Sequence, residues 1–404
     1  MSKSVLYIHS CGSFGGSSRS LTELLLAFSK DDVSPYILTQ RGHVCDFFKK
    51  AGAKVISVPG IVQFDNTNIG YYRSFRWLIL LREFYYLIHT IFGLLKARRN
   101  WKDIQIIHIN DITPIFAGII AKILFRKPLV MHVRCLHAPE KTPLRSQFLV
   151  YLIHKYVDQV ISIDETVKAS LPNGISSQVI HNGFNPDSSL VKGEASQFSH
   201  LFGKRKLNLA IVGGLIPLKG IMELLKAAKM AVDQDLDINF FIVGKNPRQL
   251  KGAKAYVLKK LGLAHDMEKE IRDYIKKHKL GEHVHLLGFL SNTTDLFKNI
   301  DVLCFPSHLD APGRPVFEAA LMKKASIIAI SNPKSDSVIA NETAICIPSK
   351  DPDALFKGIL HFYNNPLEVE RMGELAYRLA EKNFNILNNA NKMAKIYDAL
   401  LSKS

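Results

Sequence analysis

Asp310 and Glu318 stand eight residues apart around Gly313, in the stretch Pro306-Ser307-His308-Leu309-Asp310-Ala311-Pro312-Gly313-Arg314-Pro315-Val316-Phe317-Glu318 that leaves an apolar, strand-like run. An ionised carboxylate accepts two hydroxyl hydrogen bonds at once, so such a pair suits the cis hydroxyls of a ribose or a hexose. Gly313, with no side chain, lets backbone N–H groups come close to phosphate oxygens. The chemistry this pattern can do is to hold two parts of one phosphorylated sugar ligand. Two acids at this spacing also occur as plain surface carboxylates, so context decides.

Two glycine loops supply context. Cys11-Gly12-Ser13-Phe14-Gly15-Gly16-Ser17-Ser18 follows a first strand and precedes a helical pattern over 21–28. Its N–H groups and the helix amino end make an anion site, with Gly15 and Gly16 as the phosphate neighbours. Its G-x-x-G-G order departs from G-x-G-x-x-G, which speaks against a nicotinamide dinucleotide; a tight turn without ligand is the alternative. A second loop, Val212-Gly213-Gly214-Leu215-Ile216-Pro217-Leu218-Lys219-Gly220, precedes a helical pattern over 221–228. No H-E-x-x-H or Cys/His cluster is present, so no bound metal is expected. The missing G-x-S-x-G argues against acyl hydrolysis.

The elements that must position these residues alternate β-branched runs with helical patterns. Strands are expected at 5–9, 36–39, 54–58, 104–109, 128–134, 159–163 and 178–181. The rhythm restarts at 207–212, 238–243, 284–287, 302–305, 326–330 and 344–347. Such alternation predicts two doubly wound α/β domains with parallel sheets. The polar stretch 186–206 is the expected connection. Ligands in open α/β sheets sit beyond the carboxyl ends of the strands, where these loops fall. Residues 248–279 read as one or two solvated helices, and 367–401 as helical.

At 404 residues the chain suits two domains, and 47% hydrophobic with 22% charged residues excludes a disordered chain. Five scattered cysteines without a C-x-x-C pair suit a reducing compartment, the cytoplasm. The amino terminus has too short an apolar run for a secretory signal and reads as the first strand of the fold, with nothing cleaved. A net charge of +17 asks for an anionic partner. Between residues 71 and 102, seven bases face the single acid Glu83 and are interleaved with Tyr, Phe and Trp. Arg82, Glu83 and His89 interrupt the apolar run, so the segment is expected to lie on an anionic membrane surface and not to cross it. A core helix with a solvated basic edge is the other reading. No recognition helix, zinc or RNA-binding signature supports nucleic acid.

The carboxylate pair resembles the E-x7-E pattern of retaining glycosyltransferases of family 4, with Asp310 in place of the first Glu, Glu318 on the second, and Gly313 on the glycine of the E-G-F-G turn. Val212 to Gly220 resembles that family's V-G-R-L-x-x-x-K-G segment, which places Gly213 and Lys219 at the donor diphosphate. The family's arginine is Gly214 here, and Arg134 or Arg314 is the expected substitute cation. His132, at a strand end, matches the histidine that faces the donor sugar. Ile107-His108-Ile109-Asn110-Asp111 resembles the H-x-H-D segment and supports a site position for Asp111. Ile180-His181-Asn182-Gly183-Phe184 resembles the I-P-N-G-V turn near the domain junction, where Asn182 and Gly183 shape the hinge side.

The resemblance implies the GT-B fold: an acceptor-binding domain over 1–190, a donor-binding domain over 205–375 facing it across a cleft, and a segment over 376–404 that crosses back to the first. It implies transfer of a hexose, with retention, from a UDP- or GDP-linked donor to a glycan hydroxyl, without cofactor or metal. Glu318 would hold the ribose, Asp310 the sugar hydroxyls, and Lys219 the diphosphate together with N–H groups near Gly15, Gly16 and Gly313. Lipopolysaccharide O-antigen or capsule synthesis on a lipid diphosphate-linked acceptor, at the inner face of the cytoplasmic membrane, is the pathway that fits. A nucleotide-sugar epimerase of the same architecture and a non-catalytic basic binding protein are the alternatives.

Overall fold

The computed structural model describes all residues except 1, 30, 66, 68–76, 138–142, 185–197, 199, 204, 247–265, 291 and 404. The chain divides into two compact units, Met1–Asn185 with Asn383–Ser404, and Pro186–Lys382. The carboxyl-terminal residues thus belong with the first unit.

In the first unit the strands are β1 (Lys3–His9), β2 (Val33–Gln40), β3 (Lys54–Val58), β4 (Ile106–Ile109), β5 (Leu129–Val133), β6 (Gln159–Ser162) and β7 (Gln178–Val179). They form one sheet in the order β3-β2-β1-β4-β5-β6-β7, and every pairing is parallel. Sequences such as Ile106-Ile107-His108-Ile109 are buried at every position, because helices cover both faces of a parallel sheet. Helices α1 (Gly16–Ala27) and α2 (Val44–Lys50) lie on one face, and α3 (Ile79–Asn100), α4 (Ile115–Phe125) and α5 (Pro143–Tyr156) on the other. The short α6 (Glu165–Ala169) follows β6.

The second unit carries β8 (Leu207–Val212), β9 (Ile238–Val243), β10 (Val284–Gly288), β11 (Val302–Phe305), β12 (Ala325–Ala329) and β13 (Ile345–Ile347), in the order β10-β9-β8-β11-β12-β13, again parallel throughout. Its helices are α7 (Ile221–Asp233), α8 (Met267–Lys277), α9 (Thr294–Asn299), α10 (Arg314–Leu321) and α11 (Pro352–Asn364). The expected strands all form. The last helical stretch is broken in two, α12 (Pro366–Phe384) and α13 (Ile386–Leu401), because the Asn385 side chain accepts from the Asn388 N–H and caps a new helix. Tyr397 of α13 is fully buried on the face of α1 and α2.

In each sheet the order reverses once, between β1 and β4 and between β8 and β11. Strand-end loops diverge at such a switch point and leave a crevice. Both glycine loops, the Asn110-Asp111 turn and the Asp310 to Gly313 turn leave strands at these two points. The expected connection over 186–206 falls largely outside the described residues; of the stretch 248–279, expected as one or two helices, 248–265 lies outside them and 267–277 forms α8.

Candidate functional site

In the second unit, the loops after β8 and β11 are laid on one another. The 3-10 turn Pro217–Lys219 ends at Gly220, whose φ of 72° is left-handed, a conformation open to glycine at little cost. A Cβ at Gly220 would lie 2.0 Å from the Pro306 carbonyl oxygen. The Leu218 carbonyl accepts from the His308 N–H at 2.9 Å and from Ser307 Oγ at 3.3 Å. This crossing sets the position of Lys219, the next residue.

Lys219 is half-buried and its Nζ stands 5.0 Å from the centre of the Phe305 ring. Its aliphatic stem runs past Gly213, where a Cβ would be 3.6 Å from Lys219 Cε. A Cβ at Gly313 would be 2.5 Å from Phe305 Cζ, so the same ring touches Gly313. Gly213, Lys219 and Gly313 therefore meet around Phe305. Lys219 has no carboxylate partner among the described residues, and burial lowers its pKa from the ordinary lysine value. A half-buried ammonium without a counter-charge is a site for an anion. Gly214 is exposed, and a Cβ there would meet nothing within 4 Å.

Gly313 caps α10, and one turn into that helix Glu318 Oε1 accepts from Arg314 Nε at 2.6 Å while Oε2 accepts from Thr293 Oγ1 at 3.3 Å. Glu318 is thus held in one orientation by groups on two helix ends. Asp310 is exposed and left-handed, φ 51°, and its Oδ1 accepts from the Ser331 N–H at 2.5 Å. The two carboxylates are therefore fixed separately, one at the loop tip toward the end of β12 and the other on α10. His308 Nε2 lies 3.2 Å from Glu223 Oε1 of α7, a pair the sequence reading did not single out.

In the first unit, a Cβ at Gly12 would lie 2.4 Å from the Arg41 carbonyl oxygen, so close packing of two loops requires that glycine. Gly15 and Gly16 differ: nothing lies within 4 Å of a Cβ at either, and packing makes no demand for glycine there. The Gly15 N–H donates to Ser18 Oγ at 2.8 Å, which leaves the backbone at Gly16, the first residue of α1, as the open part of the loop.

His132, Arg134, Asp111 and Asn182 come together in one network. Arg134 Nε donates to Asn110 Oδ1 at 2.7 Å, Nη1 donates to Asn182 Oδ1, and Nη2 donates to His132 Nδ1 at 3.3 Å. Asp111 Oδ1 accepts from the Arg134 N–H at 3.3 Å and Oδ2 accepts from Cys135 Sγ at 2.9 Å. The guanidinium can only donate, so His132 Nδ1 is the acceptor and the ring proton sits on Nε2. Asn110, oriented by Arg134, points Nδ2 at His9 Nδ1 at 3.0 Å and fixes the same tautomer there. The Nε2 atoms of His9, His108 and His132 are buried without a hydrogen-bond partner among the described residues.

Burial, followed by the nearby Arg134 charge, pulls His9 and His108 down to about 3, and with His108 as a further cause holds His132 well below its ordinary value. All three are neutral imidazoles near neutral pH. Tyr397 Oη stands 2.8 Å from His108 Nδ1 and 3.1 Å from Tyr7 Oη, which ties α13 to this network. Both candidate substitute arginines are occupied within their own units, Arg134 by two asparagines and His132, and Arg314 by Glu318. His9, Tyr7 and Tyr397 were invisible as site neighbours in the sequence, since only the topology assembles them.

Comparison with known proteins is consistent over nearly the whole length. Residues 14–188 match the family model Glycosyltransferase Family 4, and residues 193–379 match Glycosyl transferases group 1. An uncharacterized glycosyltransferase of Methanocaldococcus jannaschii is 23% identical over 306 residues, 70% of this chain and 71% of its own. Among solved structures, HepE of Anabaena, crystallised with UDP, superposes with a TM-score of 0.73 at 18% identity, covering 98% of this chain and 100% of its own. Sucrose-phosphate synthase of Thermosynechococcus elongatus superposes with a TM-score of 0.71 at 17% identity, covering 100% of both chains. One glycosyltransferase domain model falls on each parallel-sheet unit, and the chain is a glycosyltransferase of the GT-B fold.

Proposed function

We propose that the protein transfers a hexose from a nucleotide diphosphate sugar to a hydroxyl of a glycan acceptor, with retention at the anomeric carbon. The observation that carries this reading is Lys219, a half-buried ammonium with no carboxylate partner among the described residues, fixed by the crossed loops of β8 and β11 beside the glycine that opens the Glu318 helix. A diphosphate answers that charge, and Glu318, held by Arg314 and Thr293, takes the two ribose hydroxyls in this reading. Asp310 at the exposed loop tip takes hydroxyls of the sugar. Backbone N–H groups at Gly214 and around Gly313 complete the diphosphate seat, while the Gly213 N–H donates to the Val243 carbonyl and Gly213 leaves room for the Lys219 stem.

Cleaving the sugar–phosphate bond leaves negative charge on the departing oxygen, and a preorganised cation aimed there lowers the barrier. Lys219 has that role, and no divalent ion or cofactor is needed in this scheme. The departing oxygen takes the acceptor proton on the same face of the sugar, which retains configuration. On the first unit, the His132 Nε2–H offers a neutral donor to a sugar hydroxyl, and Arg134 holds its tautomer; Asp111 and Asn182 hold Arg134. Gly16, beside Gly15, offers open backbone to an anionic group. Because HepE is crystallised with UDP and with UDP-glucose, UDP is the first nucleotide to try, GDP the second.

The first unit takes the acceptor, a lipid diphosphate-linked glycan of O-antigen or capsule assembly, and the protein works at the inner face of the cytoplasmic membrane. No helix among the described residues is long and apolar enough to cross a membrane. Incubation with a panel of UDP- and GDP-sugars tests the reading. Slow release of free sugar from one donor, and an acceptor product whose anomeric proton coupling matches that of the donor, are the expected results. An epimerised donor without transfer, or no turnover of any sugar nucleotide, contradicts it.

A further inference from the structure

Helix α3 carries two apolar seams. One, through Leu94 and Ala97 with Leu87 packed against them, belongs to the core on its face of the first sheet. The other, Leu78, Leu81, Tyr85, Ile88, Phe92 and Leu95, recurs at alternating intervals of three and four residues, the interval that keeps side chains on one side of a helix. All six are exposed, Leu81 to 70%. Phe84 beside them is 69% exposed. A surface helix of a soluble domain turns its polar side outward, and scattered single exposed apolar residues are ordinary; this seam is continuous over about 26 Å.

The same side of the unit continues the pattern. Helices α3, α4 and α5 cover one face of the sheet, so their outer sides look away from it together. Ile123 of α4 is exposed, as are Leu144, Phe148 and Tyr151 of α5. Phe116 and Phe148, with ring centres 6.4 Å apart, join α4 to α5.

Charge chooses the occupant. At the carboxyl end of α3, Lys96, Arg99 and Lys102 are exposed and have no carboxylate partner among the described residues. Arg98 lies over the Phe125 ring, and Arg126 and Lys127 follow α4 at the same edge. The acid of α3, Glu83, is buried and accepts from Arg82 and from the Gln63 N–H. A second copy of the chain seated on this seam has no exposed α3 carboxylate to answer those cations. A nucleic acid would use the cations and leave the seam in water.

We propose that this face docks on an anionic lipid bilayer, with α3 in the plane of the interface, its outer seam among the acyl chains and Lys96, Arg99 and Lys102 at the headgroups. The docking deepens the lipid-linked acceptor reading above, and a lipid test that contains no nucleotide keeps the two separable. Residues 71–76, the start of the aromatic and basic segment, lie outside the described residues and are not needed for it.

The test is co-sedimentation of the full chain with phosphatidylcholine vesicles containing roughly 30% phosphatidylglycerol, against pure phosphatidylcholine, at low and high salt. The expected result is binding to the anionic vesicles that salt weakens. The double changes Leu81→Glu with Phe84→Glu, and Lys96→Glu with Arg99→Glu, should each reduce it about thirtyfold or more. Circular dichroism, melting temperature and UDP affinity of these variants should match the parent. A parent that stays in the supernatant, or variants that sediment as well as it does, overturns the proposal. A parent dimer that Leu81→Glu with Phe84→Glu splits into monomers assigns the face to a second copy and overturns it as well.

Discussion

Gly220→Ala tests the crossed loops on which the position of Lys219 depends. The left-handed backbone at 220, φ 72°, costs a residue with a Cβ roughly 1–2 kcal/mol. The added methyl carbon would stand 2.0 Å from the Pro306 carbonyl oxygen, a backbone atom, so the two loops must separate. Separation breaks the His308 N–H bond and the Ser307 Oγ bond to the Leu218 carbonyl, each contributing about 0.5–1.5 kcal/mol. The sum is about 2–5 kcal/mol, which for a unit of this size lowers the melting temperature by roughly 4–20 °C. Calorimetry of Gly220→Ala and Gly214→Ala makes the comparison, since a Cβ at exposed Gly214 meets nothing within 4 Å and should change stability by less than about 0.5 kcal/mol. UDP affinity should fall with Gly220→Ala because Lys219 is displaced. Equal melting temperatures for the two variants would refute the packing argument.

Arg314→Ala should destabilise the second unit by about 1–3 kcal/mol, measured by urea unfolding, because it removes the charge-assisted bond from Arg314 Nε to the largely buried Glu318 carboxylate. Nucleoside diphosphate affinity, followed by calorimetry across alkaline pH, should be full while Lys219 is protonated and should decline as pH rises through its depressed pKa, earlier than an ordinary lysine would. Lys219→Arg should abolish that decline. In acid, His9 and His108 hold their neutral form down to about 3 in the folded chain but charge near 6.5 when unfolded, so the unfolded state gains protons first. Stability of the first unit should therefore be full above pH 6.5 and fall progressively toward pH 3, and thermal melts at a series of pH values should show that slope.

The architecture was readable in advance for a physical reason. Strands of a parallel sheet are buried on both faces, so they stand out as short apolar runs such as Leu207–Val212 between polar loops. The Asp310 to Glu318 turn and the Val212 to Gly220 loop were equally readable, because each is local: a few consecutive residues after one strand. Non-local assembly was not. Tyr397 meets His108 across 289 positions and Arg134 meets Asn182 across 48; the return of α13 makes the first contact, and the parallel run β5-β6-β7, which sets the ends of β5 and β7 on one edge of the sheet, makes the second. The engagement of Arg134 by side chains of its own unit likewise has no sequence signature, whereas Arg314 and Glu318 stand at the i, i+4 spacing of a helical ion pair. In α3 the apolar pattern over 77–95 was visible, but periodicity alone could not say that one seam enters the core and another faces outward. The stop at Asn385 was missed because an asparagine within a helical pattern reads as helix until its side chain is seen capping the next one.

The central claim is that Lys219 and Glu318 seat one nucleoside diphosphate. Calorimetric titration of UDP into the parent chain, Lys219→Ala and Glu318→Ala tests it most directly, with circular dichroism to verify folding. The account predicts saturable binding to the parent and at least about tenfold weaker binding to each variant, the loss expected when a charge-assisted partner is removed. Two folded variants that bind UDP as tightly as the parent would contradict it.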